Sequence, residues 1–356
     1  MDVRNILVVI SLALSIVIGL LIGRGNQTAA AGEGGRPLIG MSLDTLKEAR
    51  WQSDRDMFKA RCAALGADVL VNAANSDDSQ QARDVQSLLT AKVQVLLLVP
   101  HDGLAMAASV EAAKKQGIPV ISYDRLTQNC DLDLYISFDN VRVGHQQGQY
   151  LIDHLHTPGH GKIVRIYGAP TDNNAKLFKQ GQDEALKPYI DRHDIEVVHE
   201  DWAEDWKPEN AKRIMNAAIT KGANFEAVLA SNDGTAGGAI QALSEAGLAG
   251  KVMVTGQDAE VAACQRIAAG TQAMTIYKPL KDLTAVAAET AVKMARHEVI
   301  IAKDTVNNGK IDVPAILRDT VVVTKDNLLQ TVIKDGFHTY DEIYGDLPAD
   351  KRPPKP

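Results

Sequence analysis

Residues 96–100 read Leu-Leu-Leu-Val-Pro, an uninterrupted apolar run that ends at a proline. Such a run is typical of a strand in a parallel sheet that is covered on both faces. Similar β-rich runs occupy 38–43, 69–73, 119–123 and 134–138, and amphipathic stretches at 51–65, 80–90 and 104–116 lie between them. Repeated strand–helix–strand units predict an open parallel sheet with right-handed crossovers.

The same alternation restarts after Asn140. Further strands are predicted at 163–167, 196–199, 227–230, 252–255 and 273–277, and helices at 141–154, 175–186, 208–220, 235–246 and 259–268. A long helix is predicted at 281–296. About 300 residues in this pattern are enough for two domains of roughly 150 residues each. The sequence therefore predicts an α/β protein made of two units of similar size.

Charge and cysteine usage exclude several classes of protein. The chain has 38 Lys and Arg against 45 Asp and Glu, a net charge of −7, and no basic run. Phosphate binding requires a basic patch, so we expect no nucleic-acid partner. Cys62, Cys130 and Cys264 are widely spaced and odd in number, which favours buried free thiols and leaves a single disulfide open.

The two termini differ from the rest of the chain. Arg4 precedes the uncharged run 6–22, and alanines at 29–31 follow it, a pattern typical of a secretory signal. The run is almost long enough to span a bilayer, so residues 1–36 are predicted to be a signal peptide or a signal anchor plus linker. Either alternative places the folded part outside the cytoplasm. Residues 341–356 contain four prolines and are predicted to be a flexible tail.

Signatures of enzymes are missing from the positions where this fold would carry them. The first strand runs into Gly-Met-Ser-Leu-Asp at 40–44 and lacks a dinucleotide-binding glycine pattern. Neither a phosphate-binding GxxxxGK[ST] loop nor a GxSxG elbow occurs. His154, His156 and His160 fall in a Pro-Gly loop and favour a solvated surface over a metal site. We therefore predict a protein that is not an enzyme and needs neither cofactor nor metal.

Polar and aromatic residues follow the predicted strands, at the edge where open α/β sheets bind ligands. A pyranose has C–H faces that stack on aromatic rings and a rim of hydroxyls that suits Arg, Asp and Asn side chains. The candidates with this chemistry are Arg50, Trp51, Asp124, Arg125, Asp172, Asn174, Trp206, Asn232, Asp258 and Lys278.

Several of these candidates have a structural alternative. Trp51 and Phe58 are seven residues apart, so Trp51 could lie on the core face of a helix. Asp124 and Arg125 could form an exposed ion pair of little energetic value. Asn232 with Asp233 could cap the next helix, Lys278 could be a solvated strand end, and Trp202 is interpreted as a packing residue.

Several longer motifs carry a resemblance to a known family. They are IGMSLDTLKEARWQSDRDMF (39–58), YDR (123–125), YISFDN (135–140), DNNAKLF (172–178), DWKPENAKRIM (205–215), ASNDGTAGGAIQAL (230–243), GQDAE (256–260), RIAAGTQAMTIYKP (266–279) and VIKDGFH (332–338). In these motifs the chain resembles the D-xylose-binding periplasmic proteins, nearly collinearly from residue 37 to residue 338.

The resemblance implies a type I periplasmic binding protein, with two Rossmann-like, doubly wound lobes joined by a three-strand hinge. It places residues 37–139 and 279–312 in the N-terminal lobe and residues 140–278 and 313–340 in the C-terminal lobe. The three hinge crossings are expected near 139–140, 277–278 and 312–314.

The resemblance also implies functional roles. Trp51 and Trp206 would stack on the faces of a monosaccharide, and the resemblance implies that this sugar is D-xylose. The residues that would bond its hydroxyls are Arg50, Arg125, Asp172, Asn174, Asn232, Asp258 and Lys278. A monomer would deliver the sugar to the permease of an ABC importer. A sugar sensor, held in the membrane by residues 6–22 and acting on a receptor kinase, is the alternative. A sugar-responsive repressor and a doubly wound enzyme are the more remote ones.

Overall fold

The structure, a computed structural model, describes residues 35–222 and 224–356. The apolar run 6–22, on which both the signal-peptide and the anchored-sensor predictions depend, lies outside the described residues. Within the described ranges, no helix combines the length and the apolarity needed to cross a membrane.

Strands and helices alternate along the chain. The strands are β1 Leu38–Leu43, β2 Asp68–Ala73, β3 Val95–Leu98, β4 Val120–Tyr123, β5 Leu134–Phe138, β6 Gly161–Tyr167, β7 Ile195–Trp202, β8 Ala227–Ala230, β9 Met253–Val254, β10 Met274–Tyr277, β11 Asp304–Asn307, β12 Asp312–Arg318 and β13 Val321–Thr324. The helices are α1 Ala49–Ala64, α2 Asp78–Thr90, α3 Ala107–Lys115, α4 Asn140–His154, α5 Asn173–Asp191, α6 Pro208–Thr220, α7 Asp233–Glu245, α8 Val261–Ala269, α9 Leu280–Ala295 and α10 Tyr340–Tyr344.

The first lobe is built on a seven-stranded sheet in the order β11-β12-β5-β4-β3-β1-β2. All neighbouring strands are parallel except β11 and β12. Leu97 packs in the core cluster that contains residues of α1 and α9, whereas Leu96 and Leu98 pack with residues of α2 and α3. Because successive side chains point to opposite covered faces, β3 has to be apolar at every position.

The second lobe is built on a four-stranded parallel sheet in the order β7-β6-β8-β9. Helices α6 and α7 cover one face and helices α4 and α5 the other. Helices α4 and α5 approach closely through glycines: a Cβ on Gly144 would lie 1.9 Å from the Phe178 carbonyl oxygen, and one on Gly181 1.9 Å from that of Val141. The close approach of the two helix backbones fixes the position of α5, which carries ligand-site candidates at its start.

The chain crosses between the lobes three times. The first crossing joins β5 to α4 and the second joins β10 to α9, near the predicted positions. The third falls between Arg318 and Val321, beyond the predicted 312–314. Strand β12 pairs with β5 of the first lobe as far as Arg318, and β13 pairs with β10. The predicted lobe boundary at 312/313 therefore cuts through a strand that the first sheet retains.

The predicted flexible tail also needs correction at its beginning. Thr339 and Glu342 form a capping box that starts α10, and Ile343 and Tyr344 are buried against residues of α8. The burial of these two side chains supplies the apolar contact area that a short helix needs for stability. The prolines that suggested a loose terminus follow this helix, at residues 348–356.

The prediction of free thiols is confirmed. Cys62, Cys130 and Cys264 are buried, and none of them forms a disulfide.

Candidate functional site

A pocket lies between the two lobes and is lined by residues of both. We call it the chamber. Its lining includes all nine residues that the resemblance implies as sugar contacts: Arg50, Trp51, Arg125, Asp172, Asn174, Trp206, Asn232, Asp258 and Lys278. The lining also contains Glu48, Asp124, Phe178, Gln257 and Glu260. The structure thus brings the candidates together, and their roles toward a sugar stay predictions.

The topology explains this convergence. In the first lobe, Arg50 and Trp51 lie in the first turn of α1, and Arg125 follows β4. In the second lobe, Asn174 begins α5 and Lys278 follows β10. Parallel strands end at the same edge of a sheet, and the two lobes present these edges to each other across the cleft.

Three chamber residues have backbone angles that are unfavourable for residues with a side chain. The φ angles are +62° at Asp124, +57° at Trp206 and +92° at Asp258. Left-handed backbone of this kind costs free energy and persists where the surrounding contacts determine it. A functional requirement for the positions of these three side chains would account for it.

Arg50 connects the lobes. Its guanidinium donates to Asp124 and to Asp54, the latter at 3.3 Å, and reaches Asp258 of the second lobe at 3.4 Å. Burial raises the pKa of Asp54 to about 6, although Arg50 lies beside it. Burial also acts to raise the pKa of Asp124, but the neighbouring Arg50 and Lys278 cations outweigh it and hold that pKa below its usual range. Asp124 therefore remains a charged acceptor.

Arg125 forms the second connection between the lobes. Its guanidinium lies 2.7 Å from Asp44 of the first lobe and 3.0 Å from Asp172 of the second. All three groups are buried, so the alternative of an exposed ion pair for Arg125 does not hold. A buried cation between two carboxylates stabilises the closed cleft only while all three charges are present.

Lys278 is also buried rather than solvated. Its ammonium lies 3.3 Å from Asp258 and 5.3 Å from the Phe178 ring centroid, a distance suited to a cation–π contact. The alternative of a solvated strand end therefore does not hold for Lys278.

Trp206 lies in a short turn between β7 and α6, and its indole Nε1 donates to Asp172 at 3.1 Å. Phe178 packs edge-on against the indole, with ring centroids 6.3 Å apart. Gly168, just after β6, makes room for the ring, because a Cβ there would lie 1.9 Å from the indole Cη2. The hydrogen bond to Asp172, the edge of the Phe178 ring and the space at Gly168 together determine the position of the indole.

Gly168→Ala should move this ring. The added methyl group overlaps the indole, and overpacking of this kind costs about 1–3 kcal/mol of stability. We expect weaker sugar binding and a lower melting temperature, measured by titration calorimetry and thermal unfolding. The matched control is Gly117→Ala, outside the chamber lining: a Cβ there meets no atom within 4 Å, but the φ of +73° strains an alanine, so the melting temperature should fall while sugar affinity stays unchanged. Unchanged sugar affinity in Gly168→Ala would show that the position of the indole is unimportant.

For Trp51 and Asn232 the structural alternative holds, and because both residues also line the chamber, their sugar contacts stay predictions. Trp51 lines the chamber and also packs in the first lobe's core with Phe58. The guanidinium of Arg50 lies 4.4 Å from the Trp51 ring centroid. Asn232 lines the chamber and caps α7, accepting from the Thr235 amide at 2.8 Å. Asp233 does not cap the helix; its buried carboxylate bonds Gln272, Thr275 and the Glu260 amide.

Five lining residues were not among the sugar contacts that the resemblance implies, although Asp124 is a candidate by its chemistry. Asp124 and Gln257 adjoin predicted contacts at strand ends, and Phe178 lies one helical turn after Asn174 on the same face of α5. The sequence positions of these three residues therefore indicated that they lie near the predicted contacts. Glu48 and Glu260 precede α1 and α8, and nothing in their local sequence distinguishes them from ordinary charged residues at helix starts.

Glu260 makes the closed cleft sensitive to pH. Burial and the neighbouring Asp258 raise the pKa of Glu260 to about 7; Arg266 opposes the shift and Glu48 adds to it. A Glu260 exposed by opening would return toward its ordinary pKa of 4.5. The closed form therefore binds more protons between these values, so closure is favoured at low pH and loses this contribution as pH rises through about 7.

Sugar affinity should accordingly decrease several-fold between about pH 5 and pH 7 and then level off. Calorimetric titrations across this range would measure the effect, and Glu260→Gln should flatten the profile because the amide does not titrate. An equally steep profile in the variant would assign the pH dependence to another group.

The histidine-containing segment 154–160 lies at the surface, away from the chamber. His156 contacts Glu226 at 2.5 Å and His160 contacts Asp194 at 3.4 Å. Across residues 35–222 and 224–356, no group of three or more potential metal ligands is arranged to hold an ion.

Residues 39–298 match the family model described as a periplasmic binding protein domain. The chain belongs to the periplasmic binding protein family. This family consists of solute-binding proteins rather than enzymes, and the type I periplasmic binding protein fold predicted from the sequence is confirmed.

Individual relatives share most of this chain. The D-xylose-binding periplasmic protein of Haemophilus influenzae is 47% identical over 307 residues, 86% of this chain and 92% of that protein. Its Escherichia coli counterpart is 44% identical over 344 residues, 96% of this chain and the whole of that protein. A carbohydrate transporter solute-binding protein from Chloroflexus aurantiacus, solved with D-glucose, is 33% identical, with a TM-score of 0.81 over 87% of this chain and 98% of that one.

Proposed function

We propose that this chain binds D-xylose in the chamber and delivers it to the permease of an ATP-driven importer, without covalent chemistry. The observation that carries this proposal is the composition of the chamber. Two tryptophans and a set of buried charges, contributed by both lobes, line one cavity. The names of the two relatives given above support xylose over other monosaccharides.

The chamber chemistry suits a polyol. Indole rings can stack on the C–H faces of a pyranose, and the charged groups can bond hydroxyls at its rim. Hydrogen bonds to charged groups contribute about 1.5–3 kcal/mol each, so a few of them suffice for micromolar binding. Because the contacts come from both lobes, the sugar binds the closed form more tightly than the open form and shifts the population toward it. The closed form would then dock on the permease.

The decisive experiment is calorimetric titration of the purified protein with D-xylose, D-ribose, L-arabinose, D-glucose and D-galactose. We expect xylose to bind most tightly, with a dissociation constant in the micromolar range or below. Absence of heat with all five sugars would contradict the assignment of a monosaccharide. Tighter binding of glucose than of xylose would retain the receptor function and overturn the choice of ligand.

The proposed function also implies that the protein lies in the periplasm. Both relatives named above are periplasmic, and the proposed delivery to a permease requires export of this chain. Cell fractionation and mass spectrometry of the product would test it. A soluble, processed species supports the transport receptor, whereas an unprocessed species in the membrane fraction supports the anchored sensor.

A further inference from the structure

Two residues that line the chamber each have a buried oxygen atom without a hydrogen-bond partner. The atoms are Oε2 of Glu48 and Oε1 of Gln257. Other unpartnered buried side-chain atoms in the described part of the chain belong to residues outside the chamber lining: Asp44, Asp78, Asp84, Asn140 and Arg165. Buried polar atoms are nearly always paired, so each of the two oxygens of the chamber-lining residues requires an explanation.

The cations of the chamber differ from these two oxygens, because each cation already has a carboxylate partner. Each cation pairs with carboxylates of the protein: Arg50 with Asp54, Asp124 and Asp258, Arg125 with Asp44 and Asp172, and Lys278 with Asp258. Glu48 and Gln257 thus contribute free acceptor capacity to a cavity whose cations are already paired.

The two acceptors come from opposite lobes. Glu48 immediately precedes α1 of the first lobe, and its side chain makes no capping hydrogen bond to that helix. Gln257 follows β9 of the second lobe and is 2% exposed. A molecule that donates to both oxygens would connect the lobes and favour closure.

We propose that Glu48 and Gln257 are two further sugar contacts, one from each lobe, and that each accepts a hydrogen bond from a different hydroxyl of the ligand. This inference rests on the proposed function and deepens it. An unpartnered carboxylate or amide oxygen can only be satisfied by a donor, and a polyol supplies one at every hydroxyl. A ligand with hydrogen in place of the matching hydroxyl leaves the oxygen buried and unpaired, so the pair determines which hydroxyls are required.

The ionisation of Glu48 is consistent with this role. Burial raises its pKa, since the closed chamber removes water from the carboxylate without supplying a donor to Oε2. A sugar hydroxyl at this oxygen would replace the lost water.

The experiment is a thermodynamic cycle between variants and deoxy sugars. Glu48→Met and Gln257→Met remove the acceptor while keeping nearly the same side-chain length. Dissociation constants for D-xylose, for its 2-, 3- and 4-deoxy analogues and for 1,5-anhydroxylitol are measured by calorimetry on the parent and on each variant. The parent should bind the matching deoxy sugar about tenfold to a hundredfold more weakly than xylose.

Each methionine variant should bind xylose more weakly than the parent by a similar factor. It should bind the deoxy sugar that lacks the hydroxyl matching its position less than about threefold more weakly than it binds xylose, because the contact is already absent. The matching deoxy sugar should differ between the two variants. Glu48→Gln retains an acceptor oxygen and should recover most of the discrimination. Asp84→Asn is the matched control, since its unpartnered buried oxygen lies outside the chamber, and it should behave like the parent.

Two results would overturn the inference, and they can be distinguished. If xylose binds the parent but the variants keep full discrimination against all three deoxy sugars and against 1,5-anhydroxylitol, which lacks the anomeric hydroxyl, Glu48 and Gln257 do not contact hydroxyls and the receptor function survives. If the parent binds none of these sugars, the proposed function fails as well. Thermal unfolding of each ligand-free variant verifies that it is folded, and Glu48→Gln supplies the comparison if Glu48→Met does not fold.

Discussion

Trp206→Ala should weaken xylose binding by about two orders of magnitude, equivalent to about 3 kcal/mol. The indole lines the chamber and is nearly buried, and alanine would remove both the stacking surface and the bond to Asp172. Calorimetric titration measures the loss. Trp206→Phe should recover part of it, because a ring remains although the Nε1 donor is gone.

Trp202→Ala is the matched control for this prediction. Trp202 lies four residues earlier and packs against Tyr167 with ring centroids 4.9 Å apart, and it is not part of the chamber lining. The control should lower stability without changing sugar affinity by more than a few-fold. Equal losses of affinity in the two variants would mean that the aromatic ring acts through folding rather than through stacking.

Arg125→Met is expected to have an effect of similar size on binding. The variant removes the cation that lies between Asp44 and Asp172, and breaking a buried ion pair in this way costs about 3–5 kcal/mol. In the variant, Asp172 regains water when the cleft opens, so most of the lost free energy should disfavour the closed form. Because the sugar binds the closed form more tightly, its affinity should be at least about a hundredfold weaker.

Two measurements separate closure from folding in this variant. Calorimetry gives the loss of affinity, and thermal unfolding of the ligand-free protein gives the smaller loss of stability that arises from Asp44. Arg142→Met is the control, since Arg142 pairs with Asp319 at the exposed surface and should change neither quantity appreciably. Sugar binding by Arg125→Met at the parent's affinity would remove Arg125 from the site.

Much of the fold could be predicted because parallel strands have a strong local signal. Every position of β3 is apolar because both faces of its sheet are covered, and the same rule located the other inner strands. Strands β11, β12 and β13 were missed. Strands β11 and β13 have four residues each, β12 contains Pro314, and all three strands are partly exposed. Because β12 was not predicted, the predicted third crossing lies several residues before the observed one.

The candidate site was predictable for a related reason. Parallel sheets bring their carboxyl ends to one edge, so polar residues after strands could be grouped without coordinates. Arg125, Trp206 and Lys278 were found by this rule. Glu48 and Glu260 were not found, because each lies at the start of a helix, where a charged residue is common and is normally solvated.

By itself, then, the sequence determined the strand–helix alternation, the two units of similar size and the set of side chains that follow the strands. These properties depend on local periodicity and on which residues favour burial. Tertiary structure alone decided the last lobe crossing, the raised pKa of Glu260 and the partnerless oxygens of Glu48 and Gln257. Each of these depends on which groups from distant parts of the chain exclude water together when the lobes meet, and no local pattern contains that information.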